Sequence, residues 1–466
     1  MSISASSFET AYYVLEWAIR LGAIAIVPLR RAPAPARAWL LLIFLLPVPG
    51  LLLFLAIGSP RFPKWRTDRF KALRPFFADL SAKLAREAAG DGGEIAAVAA
   101  TLGYLPVTGG NRIELIDDYD AVIARLVADI DGARHHVRLL VYIFADDAVG
   151  RAVAAALGRA AARGVVCQVM VDPVGSHRWI RGTRRLLAAA GVEMVEALPF
   201  RWLRGRTRRD MRNHRKLFVI DGAIGFAGSQ NIVSKQFRPG VTNRELVVRA
   251  TGPVVAEMEA VIRADWYLET ETHPALPEIP PATGDACAQL LPSGADYPLE
   301  GFETLLVWQI HQARTRVVMV TPYFIPDEDV LDAMRTAVAR GVEVRLIVSA
   351  VADQPLVNLA QRSYYDDLLK AGVHIHLFRD YLLHAKNLGI DGRFAVVGSS
   401  NVDLRSFQLN EEASLLLFDA PSVRAVDTVQ QGYLDASDEL DLAAWRQRSM
   451  LRKLAENIAR LVGSLF

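Results

Sequence analysis

The sequence contains little cysteine and almost no excess charge of either sign. Its two cysteines among 466 residues, Cys167 and Cys287, have no metal-ligand spacing. Neither a disulfide framework nor a zinc site is therefore expected. Lys and Arg number 53 against 51 Asp and Glu, whereas proteins that bind nucleic acid non-specifically usually carry a basic excess over a whole domain. The near-balance of charge argues against a nucleic-acid partner.

Long apolar runs are abundant, by contrast, near the N-terminus. Residues 38–57 carry no charge over 20 positions, which as a helix would span about 30 Å, the thickness of a bilayer core. The preceding run, residues 11–29, contains Glu16 and Arg20, which are four apart and can pair on one helix face. We interpret residues 1–60 as two membrane-embedded segments, at about 11–29 and 38–57.

Each of these segments has an alternative interpretation. The first run can also form a helix that lies in the membrane interface. The second can form a re-entrant loop that turns back at Pro47–Gly50, where two prolines and a glycine oppose a straight helix. Three basic residues lie between the segments and six lie in residues 61–74. Because basic flanks stay in the cytoplasm, we predict a cytoplasmic catalytic domain.

One pattern of polar residues occurs twice, 170 positions apart. Residues 213–231 and 383–401 both contain H-x-K-x4-D-G-x5-G-S-x-N without a gap. Identical spacing in two copies indicates a duplication, or a chemistry that uses both copies. The matched residues are His214 and His384, Lys216 and Lys386, Asp221 and Asp391, Ser229 and Ser399, and Asn231 and Asn401.

The sequence around both copies alternates between strand-like and helix-like segments. Residues 136–144 and 165–172 are apolar and flank a helical pattern at 150–164, and residues 316–324 and 343–350 repeat the strand-like part. This is the pattern of βαβ units. We predict an α/β fold of two homologous halves, whose mixed, parallel-rich sheets pack face to face around one active site, with membrane helices added at the N-terminus.

The predicted boundaries follow these changes in pattern. After the membrane segments come a basic juxtamembrane linker at 61–104, a first half at 105–271, a proline-rich linker at 272–285, a second half at 286–440, and an amphipathic C-terminal helix at 441–466.

The residue types of the doubled pattern suit chemistry on a phosphate. Lysine is a compact charge for phosphate oxygens, and the Ser and Asn side chains can donate to the same oxygens. Histidine is neutral or cationic near pH 7, so two of them can divide the work. One attacks phosphorus and becomes a phosphohistidine, while the other gives a proton to the departing alkoxide. This scheme requires neither a metal nor another cofactor.

Two further pairs of carboxylates follow from the repeat. Glu245 and Glu412 each end an Asn-x-Glu sequence after a motif, and a carboxylate behind each His would fix its tautomer. The alternative is that both are solvated surface charges. Asp221 and Asp391, each just before a Gly, are either catalytic or turn-forming, and the sequence does not decide between the two.

The doubled motif resembles the phospholipase D superfamily. The segments at 105–118, 141–147, 291–296 and 321–327, with the apolar N-terminus, resemble its bacterial cardiolipin synthases. The resemblance implies an enzyme of the bacterial inner membrane, multi-pass, that acts on lipids of the bilayer. It implies transfer of a phosphatidyl group from one phosphatidylglycerol to another, which gives cardiolipin and glycerol.

The resemblance also implies roles for the two histidines, with His214 as nucleophile and His384 as acid and base. The first motif reads Gly-Ser-Gln-Asn, as in the general superfamily, rather than the Gly-Gly variant of many synthases, which leaves the acceptor open. A membrane phospholipase D that uses water, or another phosphatidyltransferase such as a phosphatidylserine synthase, remains an alternative. A nuclease or a non-enzymatic scaffold fits least, and nothing indicates the oligomeric state.

Two peripheral segments have both a lipid-related and an ordinary interpretation. Residues 201–216 hold eight Lys or Arg, which either gather anionic headgroups or form a solvated loop. The C-terminal segment would suit the membrane interface, or would pack its apolar face on the body. Its apolar positions on one helix face are Leu451, Leu454, Ile458, Leu461 and Leu465.

Overall fold

The computed structural model describes residues 5–31, 33–58, 61–199 and 210–463. Six helices precede the first strand. They are α1 (Ala5–Arg30), α2 (Pro33–Leu45), α3 (Pro47–Ile57), α4 (Lys64–Ala72), α5 (Arg74–Glu87) and α6 (Gly93–Gly103). Within the described residues, Glu9–Arg30 in α1 is the one helix long and apolar enough to cross a membrane.

The second apolar segment is bent. Leu46, between α2 and α3, has φ −132° and lies outside the helical region. A Cβ added at Gly50 would lie 2.9 Å from Cα of Ile43, so α3 folds back against α2. At its other end α3 returns to the start of α2, because Nε of Arg31 donates to the carbonyl of Gly58 at 2.6 Å.

Residues 38–57 therefore do not form one straight helix. Pro47 and Pro49 lack backbone donors, and their rings oppose helix continuation at the bend. The segment has instead the shape of the re-entrant alternative.

The first half contains eight strands and four helices among the described residues. They are β1 (Thr108–Ile116), α7 (Tyr119–Asp131), β2 (His136–Val141), α8 (Ala148–Ala162), β3 (Val166–Val171), α9 (Ile180–Ala189), β4 (Glu193–Glu196), β5 (Leu217–Ile220), β6 (Ile224–Gly228), β7 (Asn243–Arg244), β8 (Val247–Thr251) and α10 (Val254–Thr270).

The second half repeats this order and adds two helices at the C-terminus. Its elements are β9 (Ala286–Ser293), a 3₁₀ turn (Pro298–Glu300), α11 (Gly301–Gln312), β10 (Arg316–Val320), β11 (Phe324–Ile325), α12 (Glu328–Ala339), β12 (Glu343–Ser349), α13 (Pro355–Arg362), α14 (Tyr365–Ala371), β13 (His374–Phe378), β14 (Leu382–Leu383), β15 (Asn387–Ile390), β16 (Phe394–Gly398), β17 (Val402–Asp403), α15 (Leu404–Gln408), β18 (Glu412–Leu417), α16 (Ala420–Asp435), β19 (Ser437–Glu439), α17 (Leu442–Arg446) and α18 (Met450–Gly463).

The matching helices of the two halves begin and end with the same local chemistry. Asp147 precedes α8 and Asp327 precedes α12, and each side chain accepts a hydrogen bond from the backbone N–H three residues further on. Such caps satisfy donors that the first turn leaves unpaired. Beyond each helix a glycine, Gly164 or Gly341, has positive φ and turns the chain into the next strand.

Fifteen strands form one continuous sheet, in the order β4-β3-β2-β5-β6-β8-β1-β9-β18-β16-β15-β10-β12-β13-β19. The pairings β2–β3, β3–β4, β10–β12 and β12–β13 are parallel, and the other ten are antiparallel. The predicted mixed sheet is confirmed, but the prediction that it is rich in parallel pairs is wrong. Tight turns such as Asp221–Ala223 return the chain directly, which only antiparallel strands allow.

The two halves meet in two ways. Strand β1 pairs with β9 and so joins their sheets edge to edge, which the sequence pattern did not predict. The joined sheet also folds over, because Ala227 of β6 and Val397 of β16 belong to one buried apolar cluster. Strands β6 and β16 are therefore brought face to face, and the segments that precede β5 and β15 meet beside this core.

Candidate active site

Each His-Lys motif pairs its backbone with the opposite half. The N–H of His214 donates to the carbonyl of Glu411 at 2.8 Å, and the N–H of His384 donates to the carbonyl of Arg244 at 2.7 Å. In the same region β7 pairs with β14 in parallel. These bonds place each histidine beside the Asn-x-Glu segment of the other half, so the two motifs form one site.

The side chains of the two histidines also contact the opposite half of the chain. Nδ1 of His214 lies 3.0 Å from both carboxylate oxygens of Glu412, and Nδ1 of His384 lies 2.8 and 2.9 Å from those of Glu245. Both carboxylates are buried. Because a carboxylate accepts, Nδ1 carries the proton in each ring, and Nε2 keeps a free electron pair. Neither half contains a complete His–Glu pair of its own.

The two motif serines hold the glutamates. Oγ of Ser399 donates to Glu412 at 2.5 Å and accepts from the N–H of Ala413 at 3.0 Å. Oγ of Ser229 accepts from the N–H of Leu246 at 3.0 Å and donates to its carbonyl at 3.2 Å. The pKa of Glu245 is lowered against the effect of burial, mainly by His384 and also by Ser229. The prediction that these serines bind phosphate is not supported by their contacts, since the strand that follows each motif brings the glutamate to the hydroxyl.

The motif lysines lie directly beside their histidines. Nζ of Lys216 donates to the carbonyl of His214, and Nζ of Lys386 donates to the carbonyl of His384, both at 2.6 Å. Both lysines are buried. As predicted for residues two apart on a strand, each lysine shares a face with its histidine. Nζ of Lys216 also lies 5.3 Å from the ring centre of Tyr142.

The motif asparagines line the same cavity as the histidines. Oδ1 of Asn231 accepts from the backbone N–H of Ile143 at 3.0 Å, so the NH₂ end of this amide is the part able to donate to a ligand. Oδ1 of Asn401 is buried without a partner among the described residues. Both amides are therefore placed to contact a bound group, as the sequence predicts.

The motif aspartates are not part of the cavity. Asp221 and Asp391 lie at the far ends of β5 and β15, each with φ +53°. Their carboxylates accept from the backbone N–H groups of residues 134–136 and 314–316, respectively. These bonds tie the turn to the loop before the neighbouring strand. The contacts support the turn-forming interpretation and give no support to a catalytic role.

The cavity has a volume of about 310 Å³ and contains residues that the sequence did not single out. The ring of Tyr142 meets His214 edge-on at 4.8 Å between centres, and Tyr323 meets His384 at 6.2 Å. These tyrosines hold matched positions in the segments at 141–147 and 321–327, so a comparison of the two halves of the sequence could have identified them. Other residues of the wall are Arg212, Arg238, Arg405, Asp353, Asp403, Asn243, Asn410, Gln354, Ile143, Phe237, Ile325 and Val357.

Burial dominates the electrostatics of the site. It lowers the pKa of His214 and of His384 to about 4, although Glu412 and Glu245 act in the opposite direction. It also lowers the pKa of Lys216 to about 7 and that of Lys386 to about 8. At neutral pH both imidazoles are therefore neutral, and each has a nucleophilic Nε2, while Lys386 is mostly charged.

A buried charge cluster supports the first motif only. Arg215 is fully buried, and its guanidinium binds Asp265 and Glu411, both at 2.6 Å. Its Nε also donates to the carbonyl of Glu412, the partner of His214, at 2.9 Å. The matched position in the second half is Ala385. The two halves of the site thus have the same reactive groups, but a buried arginine cluster supports only the first of them.

The cluster continues into helix α4. Arg66 is 1% exposed, and it binds Glu269 at 2.7 Å and Asp296 at 3.0 Å. Residues 201–209 of the predicted basic loop lie outside the described residues.

One group of carboxylates among the described residues is close enough to hold a metal ion. Oxygens of Glu303, Asp327 and Asp329 lie within 4.8 Å of one another, away from the histidine pair. Burial and a hydrogen bond to Asp327 raise the pKa of Glu303 to about 10.

Known proteins with similar sequences decide the family. A family model described as cardiolipin synthase, PLD-like domain, matches residues 126–266 and 306–432. Cardiolipin synthase A of Serratia proteamaculans is 34% identical over 96% of this chain and 98% of its own length. This chain belongs to the cardiolipin synthase family. Cardiolipin synthase A of Salmonella arizonae is similar at 33% identity over 96% of the chain.

Solved structures agree with this placement at the level of the fold. The phosphatidylserine synthase of Haemophilus influenzae has a TM-score of 0.58 at 14% identity and covers 76% of this chain and 95% of its own. A polyphosphate kinase of Porphyromonas gingivalis has a TM-score of 0.50 at 16% identity, over 72% of this chain and 49% of its own. At such identities the likeness shows a shared fold alone.

Proposed function

We propose that the protein is a cardiolipin synthase. It transfers the phosphatidyl group of one phosphatidylglycerol to the terminal hydroxyl of a second and releases glycerol. The observation that carries the proposal is the pair of crossed His–Glu contacts at one cavity, in a member of this family. A double displacement needs one neutral imidazole that attacks phosphorus and one protonated imidazole that donates to the leaving oxygen, and the two histidines occupy these two places.

In the first step Nε2 of His214 attacks phosphorus. A P–N bond forms, and the P–O bond to the glycerol headgroup breaks. His384 gives its proton to the departing oxygen, so that glycerol leaves neutral. The phosphodiester itself prepares His384 for this role, because its negative charge raises the pKa of an adjacent imidazole. Lys216 and Lys386, beside the rings, offset the charge on the phosphoryl oxygens.

The second step reverses the first with a different alcohol. The terminal hydroxyl of another phosphatidylglycerol attacks the phosphohistidine, and His384 takes its proton. The P–N bond breaks, which leaves His214 neutral and cardiolipin bound. Because both alcohols are primary glycerol hydroxyls, one pocket serves the leaving and the attacking group in turn.

The cavity wall fits a phospholipid headgroup. Arg212, Arg238 and Arg405 supply positive charge around the histidines, although Arg238 pairs with Asp353 of the same wall and Arg212 pairs with Asp172. Asn231 and Asn401 supply polar contacts. Ile143 and Phe237 supply apolar surface at the same wall. At about 310 Å³ the cavity is at the low end of small-molecule sites, about 300–1,000 Å³, and has room for a headgroup rather than for acyl chains.

The bent second segment supports a specific topology in the bacterial inner membrane. If α1 crosses the bilayer once and α2 and α3 enter and return, then all nine Lys and Arg of residues 30–74 flank one side. Residues 1–19 contain neither Lys nor Arg. Because basic flanks remain in the cytoplasm, the catalytic body is cytoplasmic, and one crossing replaces the predicted multi-pass arrangement.

The test is incubation of the purified protein with phosphatidylglycerol vesicles, followed by lipid mass spectrometry. Cardiolipin and free glycerol are expected from the wild type and from neither His214→Ala nor His384→Ala. Phosphatidic acid as the main product would make the protein a hydrolase that uses water. A new lipid formed only when serine or another alcohol is added would make it a different phosphatidyltransferase.

A further inference from the structure

The C-terminal helix α18 exposes an entire apolar face. At 100° per residue its large apolar side chains fall within one arc of the helix, and each is more than half exposed. An exposed stripe of this kind marks an interaction surface. The residues of this stripe are Met450, Leu451, Leu454, Ile458 and Leu461, and the predicted fifth position, Leu465, lies outside the described residues.

The opposite face of α18 is fixed to the body. Glu456 is 1% exposed, and its carboxylate binds Arg362 of α13 at 3.2 Å and Arg448 at 3.0 Å. Ala459 is buried beside it. Rotation of the helix to bury the stripe would expose these ion pairs. The alternative interpretation, that the apolar face packs on the body, is therefore wrong for the described residues.

Helix α13 connects this stripe to the cavity. Its Arg362 holds α18, while Val357 near its other end lines the cavity with the two histidines. The neighbouring Leu356 is 53% exposed. Helix α13 thus contacts α18, lines the cavity and exposes an apolar side chain beside that lining.

The N-terminal helices reach the same cavity from another direction. Phe62, just after the α2–α3 hairpin, is buried with Leu198 and Met211, and Leu409 packs against them. Met211 and Leu409 directly precede Arg212 and Asn410, which line the cavity. Residues that border the cavity are therefore in contact with the segment after the N-terminal helices as well as with α13.

We propose that α18 and α13 form a docking face for an anionic phospholipid bilayer, which holds the cavity mouth at the membrane surface. Donor and acceptor lipids then enter by the headgroup alone, while their acyl chains stay in the bilayer. Arg452 and Lys453 flank the stripe, as suits anionic lipids. This inference rests on the proposed function, because only a lipid substrate requires the mouth to face the membrane.

The first test separates bilayer substrate from soluble substrate. The full-length double variant Leu454→Asn and Ile458→Asn is compared with the wild type on phosphatidylglycerol vesicles and on short-chain phosphatidylglycerol below its micelle concentration. We expect kcat/KM to fall about tenfold or more on vesicles, since two buried apolar contacts with the bilayer are lost, and to change less than about twofold on the soluble lipid. The matched control is Leu276→Asn, which alters an exposed leucine of the linker.

The outcomes distinguish this proposal from the proposed function. Equal activity of the double variant and the wild type on vesicles would overturn the docking face. An equal loss of activity on vesicles and on the soluble lipid would also overturn it, because it would show that the helix only stabilises the site. Absence of cardiolipin from the wild type with either substrate would instead overturn the proposed function.

The second test locates the helix directly. A fluorophore on Ile458→Cys, in a Cys287→Ser background, is read in nanodiscs that contain nitroxide-labelled lipids. The lipid label should quench it strongly, and should leave a fluorophore on Val166→Cys, an exposed residue of the body, unquenched. If the stripe is an interface with a second copy, the label will stay bright and the double variant will halve the particle mass, which would contradict the proposal.

Discussion

At the scale of single residues, each imidazole depends on a carboxylate that comes from the other half of the chain. The hydrogen bond at Nδ1 sets the tautomer, and the serine behind each glutamate holds the carboxylate in place. Since the pair is buried, removal of the carboxylate also removes the charge that opposes the effect of burial on the histidine pKa.

The first prediction concerns this carboxylate. Glu412→Gln should lower kcat about 10–100-fold, because an amide no longer fixes the tautomer or supports a cationic ring. KM should change little, since Glu412 does not line the cavity. Steady-state kinetics on phosphatidylglycerol would measure both. Glu439→Gln is the matched control, because Glu439 pairs with the exposed His374 at 2.6 Å; a similar loss there would contradict the prediction.

The second prediction concerns pH. The charged form of lysine is the protonated one, present below its pKa, and burial lowers the pKa of Lys216 to about 7 and of Lys386 to about 8. The rate constant kcat/KM should therefore fall as pH rises through 7 to 8. In Lys216→Arg the side chain with the lower pKa is replaced by one that stays charged, so the alkaline limb of any remaining activity should move to higher pH, where Lys386 titrates. A flat profile to pH 10 in the wild type would refute this.

At the scale of elements, α4 is tied to the body by charge. Arg66 contributes a buried guanidinium between Glu269 and Asp296, and burial raises the pKa of Asp296 to about 6 despite the arginine beside it. The same cluster includes Arg215, next to His214. The membrane-proximal helix and the first motif thus share one set of compensating charges.

The third prediction follows from that burial. Arg66→Met should reduce the free energy of unfolding by about 3–5 kcal/mol, because two buried carboxylates lose their partner. Arg125→Met breaks an exposed pair with Glu114 and should cost no more than about 1 kcal/mol. Thermal unfolding in detergent would compare the two variants. Equal shifts in Tm would show that the Arg66 cluster is not energetically coupled to the fold.

Several elements could be predicted from the sequence, and others could not. The repeated motif and strand patterns were enough to predict two α/β halves and one site with both histidines. The crossing of Glu245 and Glu412 was not predictable, because a repeat shows matched positions but not which half each contacts. The β1–β9 junction and the antiparallel majority depend on tertiary pairing of short strands, for which periodicity carries no signal.

The bend at Leu46 is a place where two signals in the sequence conflict. Residues 38–57 have the length and hydropathy of a span, but Pro47, Pro49 and Gly50 permit a close return of the backbone. The contacts of the motif serines differ from the predicted ones for another reason. Their type suits a phosphate, yet the buried glutamates supply a closer acceptor.

At the scale of the whole molecule, the hairpin of α2 and α3 determines on which sides of the membrane the termini lie. The fourth prediction is that the N-terminus is periplasmic and the C-terminus cytoplasmic. Alkaline phosphatase fused before residue 1 and green fluorescent protein fused after residue 466 should both be active in a bacterial host. Termini on the same side would instead indicate two complete crossings, as the sequence alone predicts.

The reciprocal contacts between the halves also bear on how the duplicated chain arose. When His214 of one half binds Glu412 of the other and His384 binds Glu245, the interface has the self-complementary form of a two-fold symmetric dimer. A chain of half this length would complete such a centre only by associating with its own copy. Fusion of the two genes would make that association permanent and free each copy to diverge, as Arg215 and Ala385 have done.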